Sequence, residues 1–184
     1  MLEFYLSIVS SESDKKKVEF IYEKYYSYMC YKAGCILGQN KYDVEDAVHN
    51  AMLKLIDNID LIDVSDERRV KNLCGIIARN KAIDTRRKKD NQTVPLEDAV
   101  LNTEGNDETP DSVLEAKETF AAIIKAIESL DEKYRDVCIL KYVHLLKDKE
   151  IGSLLDLDPK TVSTRIYRGK QIVKDAIRKE GLHD

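Results

Sequence analysis

Val162, Ile166, Gly169 and Val173 recur at helical spacing directly after Asp158 and Pro159. That is an amphipathic helix with a strong start. A carboxylate at Asp158 can accept from the free N–H groups of the first turn, and proline at the first helical position gives up a donor that had no partner. Apolar repeats of the same period return through most of the chain. Val18, Ile21, Tyr22, Tyr25, Met29 and Ile36 mark one helix from about 14 to 37. Val44, Ala47, Val48, Ala51, Met52, Leu55 and Ile56 mark a second from 43 to 58. Val70, Leu73, Cys74, Ile77 and Ile83 mark a third from 65 to 89. With seven Gly and three Pro in 184 residues, little interrupts them. The fold class is all-α.

Residues 1–13 have too few apolar positions to set a period. They read as a short polar lead-in or a frayed first turn, with Leu2, Phe4, Tyr5 and Leu6 available for packing. Gly38-Gln39-Asn40 ends the first long helix. Residues 90–112 hold seven acids, no base and two of the three prolines, without apolar periodicity. They predict a flexible acidic linker between two small helical domains, residues 1–89 and 113–184. In the second, a helix ends near Glu128, and Ser129 to Glu132 matches a capping box that starts the next. Asp148 is expected to cap a short helix from 149 to 155, and Asp156-Leu157-Asp158 turns into the helix at Pro159. Short helix, tight turn, longer basic helix is a helix-turn-helix.

The formal charge of −4 conceals opposed blocks. Residues 43–66 carry −6, residues 79–89 carry +5 and residues 90–112 carry −7, and such local fields steer partners more than the sum does. From 160 to 174 there are five Lys or Arg and no acid. A basic, hydroxyl-bearing helix suits the major groove of DNA. The candidates there are Lys160, Thr161, Ser163, Thr164, Arg165, Arg168, Lys170 and Lys174. The second basic block, Arg79, Asn80, Lys81, Asp84, Arg86, Arg87 and Lys88, calls for an anionic partner. Asp43, Glu45 and Asp46 crowd a helix start, where the dipole favours negative charge.

These residues also carry a family resemblance. Leu130-Asp131-Glu132-Lys133-Tyr134-Arg135-Asp136-Val137, Leu140-Lys141-Tyr142, Lys149-Glu150-Ile151-Gly152 and Thr161 to Gly169 resemble region four of bacterial RNA polymerase sigma factors. Asp43 to Leu55 and Ile76 to Arg87 resemble region two. Two patterns in this order, with no globular segment between them, are similar to the small extracytoplasmic-function (ECF) type. The resemblance implies a factor that binds core RNA polymerase and directs it to promoters. Asp43, Glu45, Asp46 and Asn50 would dock on the clamp helices of the largest subunit, and the second domain would meet the flap of the second-largest. Residues 79–88 would meet the −10 element as a separated strand, and the helix at Pro159 would read the −35 element. An anti-sigma factor is a further implied partner. The family often has an aromatic pair where this chain has Leu73 and Gly75, Gly in place of Asp156, and Ala in place of Gly152 and Gly169. Gly inside a helix costs about 1 kcal/mol relative to Ala.

Other chemistry finds few of its parts. Asp46-x-x-His49 with Glu45 resembles half of a di-metal carboxylate site, which requires a second copy. No phosphate-binding Gly-rich loop or nucleophile–base arrangement is present, so neither an enzyme nor a cofactor is expected. Cys30, Cys35, Cys74 and Cys138 lack metal-ligand spacing and read as reduced, mostly buried thiols. No membrane span or signal peptide is expected, which predicts a cytoplasmic protein. The competing readings are a stand-alone helix-turn-helix regulator without polymerase binding, and an interaction adaptor.

Overall fold

The computed structural model describes residues 1–38, 40–90 and 123–179. Its described elements are α1 (Leu2–Ser7), α2 (Glu12–Leu37), α3 (Lys41–Asp57), a 3₁₀ turn (Ile59–Leu61), α4 (Glu67–Asp90), α5 (described part 123–128), α6 (Glu132–Tyr142), α7 (Asp148–Leu155) and α8 (Pro159–Lys179). There is no strand among the described residues. The expected linker falls almost wholly outside them.

The first domain is built on α2, α3 and α4, which pack on one another through the apolar faces their periodicity marks. Val18, Ile21, Tyr25 and Met29 of α2 meet Ala47, Val48, Ala51, Met52 and Leu55 of α3 and Val70, Leu73, Cys74 and Ile77 of α4, all buried. Each large side chain among them contributes about 1.5–3 kcal/mol by leaving water. The middle of α4 is buried nearly all round, from Leu73 to Ala78. Gly75 has a reason to be there. A Cβ on it would lie 2.9 Å from the Tyr28 hydroxyl oxygen, so a larger residue there would push the Tyr28 ring of α2 from its place over the helix.

The amino-terminal residues are not a frayed lead-in. They form α1, and Tyr5 is fully buried with its hydroxyl 2.9 Å from His49 Nδ1 on α3. Burial raises the Tyr5 pKa, so the phenol stays protonated and the hydrogen bond is kept. Gly38, at φ 70, stops α2 as expected, with its N–H donating to Gly34 O at 2.9 Å.

The second domain packs α6, α7 and α8 around Val137, Cys138, Leu140, Ile151, Leu154, Val162, Ile166 and Val173. The expected stripe of α8 is buried at all four positions, and Asp158 Oδ1 accepts from Lys160 N–H at 2.8 Å. Two of the local caps differ. Ser129 Oγ donates to Ala126 O at 2.8 Å and leaves the N-cap of α6 to Asp131. Asp148 lies inside α7, whose N-cap is Lys147, with the Lys147 N–H donating to Glu150 Oε2 at 2.6 Å. Asp148 instead takes Lys141 at 2.7 Å and Ser163 at 2.6 Å. These bonds, Lys141 first, hold its carboxyl below the usual range.

Gly152 and Gly169, costly on helix propensity alone, are required by packing. A Cβ on Gly152 would stand 2.6 Å from the Leu157 carbonyl oxygen, and one on Gly169 would stand 2.6 Å from Cys138 Sγ. The first sets the turn between α7 and α8, and the second sets how closely α8 lies on α6. The thiols are less uniform than expected. Burial pushes Cys74 to about 12 and Cys138 to about 11, while Cys30 is half-buried and Cys35 is exposed.

Candidate nucleic-acid interface

On α8 the buried stripe fixes which side chains face outward. Lys160, Thr161, Ser163, Thr164, Arg168, Lys170 and Lys174 are exposed. None of the four cations in that group has an ion pair among the described residues. Two hydroxyls are engaged: Thr164 Oγ1 donates to Lys160 O at 2.8 Å, and Ser163 Oγ ties α8 to Asp148 of α7 at 2.6 Å. Arg165 differs from its neighbours. It is half-buried in a cleft of about 370 Å³ that also takes in Arg79, Arg87 and Asp136. Burial, and then the charge of Arg87, disfavour its cationic form.

The basic block of α4 divides in two. Arg86, Arg87 and Lys88 are exposed and make no ion pair among the described residues. Arg79 is turned to the second domain, with Nη2 on Asp136 and Nη1 on Glu132 at 2.8 Å. Asn80 donates to Ile76 O at 2.9 Å and reaches Asp136 at 3.4 Å. Lys81 pairs with Asp156. Asp84 is half-buried beside these groups and lines the cleft.

On α3, Glu45, Asp46 and Asn50 are exposed. Among the described residues Glu45 forms an ion pair only with Lys41, at 3.7 Å, and the Asn50 amide donates to Asp46 O at 2.8 Å. Asp43 is held by Lys89 of α4, with one contact at 2.6 Å, and its side chain is 16% exposed. The acidic helix therefore presents Asp46 and, beside Lys41, Glu45 to solvent, and Asp43 only in part.

The sequence-family description "Sigma-70 region 2" matches residues 21–92, and "Sigma-70, region 4" matches residues 120–173. The chain is 32% identical over 170 residues to the ECF RNA polymerase sigma factor SigW of Bacillus subtilis (strain 168), covering 88% of this chain and 87% of SigW. The chain belongs to the ECF sigma factors.

As such the sigma factor binds polymerase and is promoter-specific; it is not a stand-alone regulator. It is also 26% identical over 147 residues to the RNA polymerase sigma factor SigV of the same organism, over 78% of this chain and 81% of SigV. Among solved structures, that of CnrH in complex with the cytosolic domain of CnrY aligns over 97% of this chain and 95% of that one, at 17% identity and a TM-score of 0.38. No described helix of the sigma factor is long and apolar enough to cross a membrane.

The pairings of four residues escaped the sequence reading: those of Lys54, Asp136, Asp148 and Asp156. Asp156 Oδ1 accepts from Lys54 at 2.6 Å while its other oxygen takes Lys81. Asp136 is the least exposed acid in the ion-paired set, at 6% for its side chain. The one signal for Asp156 was its place in a turn where a glycine is usual.

Proposed function

We propose that this ECF sigma factor divides its work between the two domains, residues 1–89 and 113–184, with residues 90–112 as their linker. The exposed carboxylates of Glu45 and Asp46, with Asn50 and Asp43, dock on the basic clamp helices of the polymerase's largest subunit. Residues 79–88 of α4 follow the backbone of the separated strand at the −10 element. The outer face of α8 enters the major groove at the −35 element, with Arg165 and Arg168 for base or phosphate contact and Lys170 and Lys174 on phosphates. The second domain meets the flap of the second-largest subunit, and an anti-sigma factor restrains the whole. The protein acts in the cytoplasm, needs no cofactor and catalyses nothing itself.

The observation that carries this reading is the segregation of the exposed charge. Free acids lie on α3 and free bases on α8, each on a face whose opposite side is buried core. One surface suits a basic protein partner and the other suits DNA.

Pull-down of core polymerase followed by run-off transcription tests it. Glu45→Lys combined with Asp46→Lys should abolish core binding and transcription while binding to −35 DNA is kept. Retained core binding in that double variant would remove α3 from the docking surface.

A further inference from the structure

Tyr28 of α2 is half-buried, with one edge of its ring over Gly75 of α4. Two lysines stand against the ring. Lys32 Nζ, one turn farther along α2, is 5.5 Å from the ring centroid, and Lys71 Nζ, one turn back along α4, is 5.4 Å from it. Lys71 is exposed and Lys32 half-buried, and neither has an ion pair among the described residues. Burial, and then the charge of Arg79, disfavour the cationic form of Lys32, and Arg135 and Lys71 act in the same direction. An anion brought among these cations would relieve their mutual repulsion. Burial raises the Tyr28 pKa, so the ring is a neutral phenol.

The core does not account for this arrangement. Tyr25 and Met29, the neighbours of Tyr28 on α2, are buried and fill the space between the helices, while Tyr28 stays partly in solvent. α4 carries no aromatic residue from Glu67 to Asp90, so a ring met along that helix has to come from a neighbour. Lys71, Gly75 and Arg79 follow one another at four-residue spacing and share a face of α4. A chain that follows residues 79–88 and continues about one turn toward the start of the helix therefore arrives at Tyr28. An aromatic face beside free ammonium groups matches the two parts of a single-stranded nucleic acid, whose bases stack and whose phosphates pair. A duplex keeps its base faces covered and has no such use for the ring.

We propose that Tyr28 is a stacking platform for an unpaired base: a base of the strand that lies along α4 stacks on its ring, and Lys32 and Lys71 take the adjoining phosphates. The proposal rests on the placement of residues 79–88 along the separated strand, and it gives α2 a part in holding that strand. Both ammonium groups end flexible chains, so they can turn out to phosphate as the base takes the ring.

The test is fluorescence anisotropy on the full chain in dilute salt, with a labelled oligothymidine of about 12 nucleotides and a duplex of the same length. Tyr28→Leu should weaken binding of the single strand about fivefold or more and leave binding of the duplex unchanged. Tyr28→Phe, which keeps the ring, should recover the loss. Lys71→Ala should lower the salt slope on the single strand by about 0.7. Unchanged single-strand affinity in Tyr28→Leu overturns the platform, as does an equal loss on the duplex or a natural protein that does not bind the strand. If thermal melts show Tyr28→Leu unfolded, Gly75→Ala decides. Alanine favours the helix while its Cβ pushes the ring aside, so a folded Gly75→Ala with undiminished single-strand affinity overturns the platform. Arg86→Ala combined with Lys88→Ala probes the underlying placement separately. Unchanged affinity there, beside a loss in Tyr28→Leu, keeps the platform and overturns the course of the strand along the end of α4.

Discussion

α4 and α8 carry similar runs of basic residues, and the structure treats them differently. On α8, Lys160, Arg168, Lys170 and Lys174 stand in solvent without an ion pair among the described residues. On α4, Arg79, Lys81 and Lys89 are each paired with an acid from elsewhere in the chain, on α6, in the turn before α8 and on α3. The contrast follows from burial. α8 packs along one stripe and leaves the rest of its circumference open, whereas the middle of α4 is enclosed, so a cation that emerges there meets protein before it meets water. A run of like charge in a sequence therefore does not by itself define an accessible surface. What opposes it in space decides whether it is free.

The largest expected effect breaks that contrast on the α4 side. Asp136→Ala leaves Arg79, 16% exposed at its side chain, with only the more exposed Glu132 for company. Removing one partner of a buried pair should cost about 3 kcal/mol by urea denaturation, whereas Lys170→Ala should fall within about 0.5 kcal/mol. A small loss at Asp136 would mean that α4 is as open as α8.

On the α8 side, Arg168→Ala should weaken binding to the −35 element by about 1–3 kcal/mol in anisotropy titrations. Lys170→Ala and Lys174→Ala should each lower the salt slope by about one unit without altering sequence preference. Lys81→Ala in the free protein should barely change that slope, because Asp156 already neutralises it. Equal slopes for all three lysines would erase the distinction.

A separate effect, read in pH and not in DNA binding, concerns His144, in the connection between α6 and α7. Burial, and then the charge of Arg69, hold its pKa down at about 4, with Asp66 opposing. Its Nε2 is buried without a hydrogen-bond partner among the described residues. The unfolded chain takes up this proton near the ordinary value of about 6.5 and the folded chain does not. The contribution is therefore complete above about pH 6.5 and lost as the pH falls toward 4, at about 1 kcal/mol or less per pH unit. Thermal melts across this range should show the loss, and His144→Gln should flatten it.

Much of the fold was legible because its helices are long. The stripes of α3 and α8 set both the element and its buried face, and Gly38 marked a stop that the structure keeps. α1 was not legible, since six residues give no period and it is the contact with His49, 44 positions away, that makes Tyr5 a core residue. The caps at Ser129 and Asp148 failed for a related reason. Both side chains had a local use, and the second found better partners at Lys141 and Ser163. At the candidate site, the exposed face of α8 followed from its stripe. The pairing of Lys54 with Asp156 did not, because it joins residues 102 positions apart and a chain with 34 acids and 30 bases offers very many such matches.

Gly169 and Cys138 have a consequence for redesign. On the proposed reading, promoter preference would be transplanted by exchanging the seven outward residues of α8, of which Ser163 and Thr164 also hold hydrogen bonds within the domain. The inward face is less portable. A donor helix with alanine at position 169 would place its methyl 2.6 Å from Cys138 Sγ, so that the thiol must turn away or α8 must lift from α6. A working chimera should carry the α6 residue together with the helix, as a matched cassette of two strips and not one.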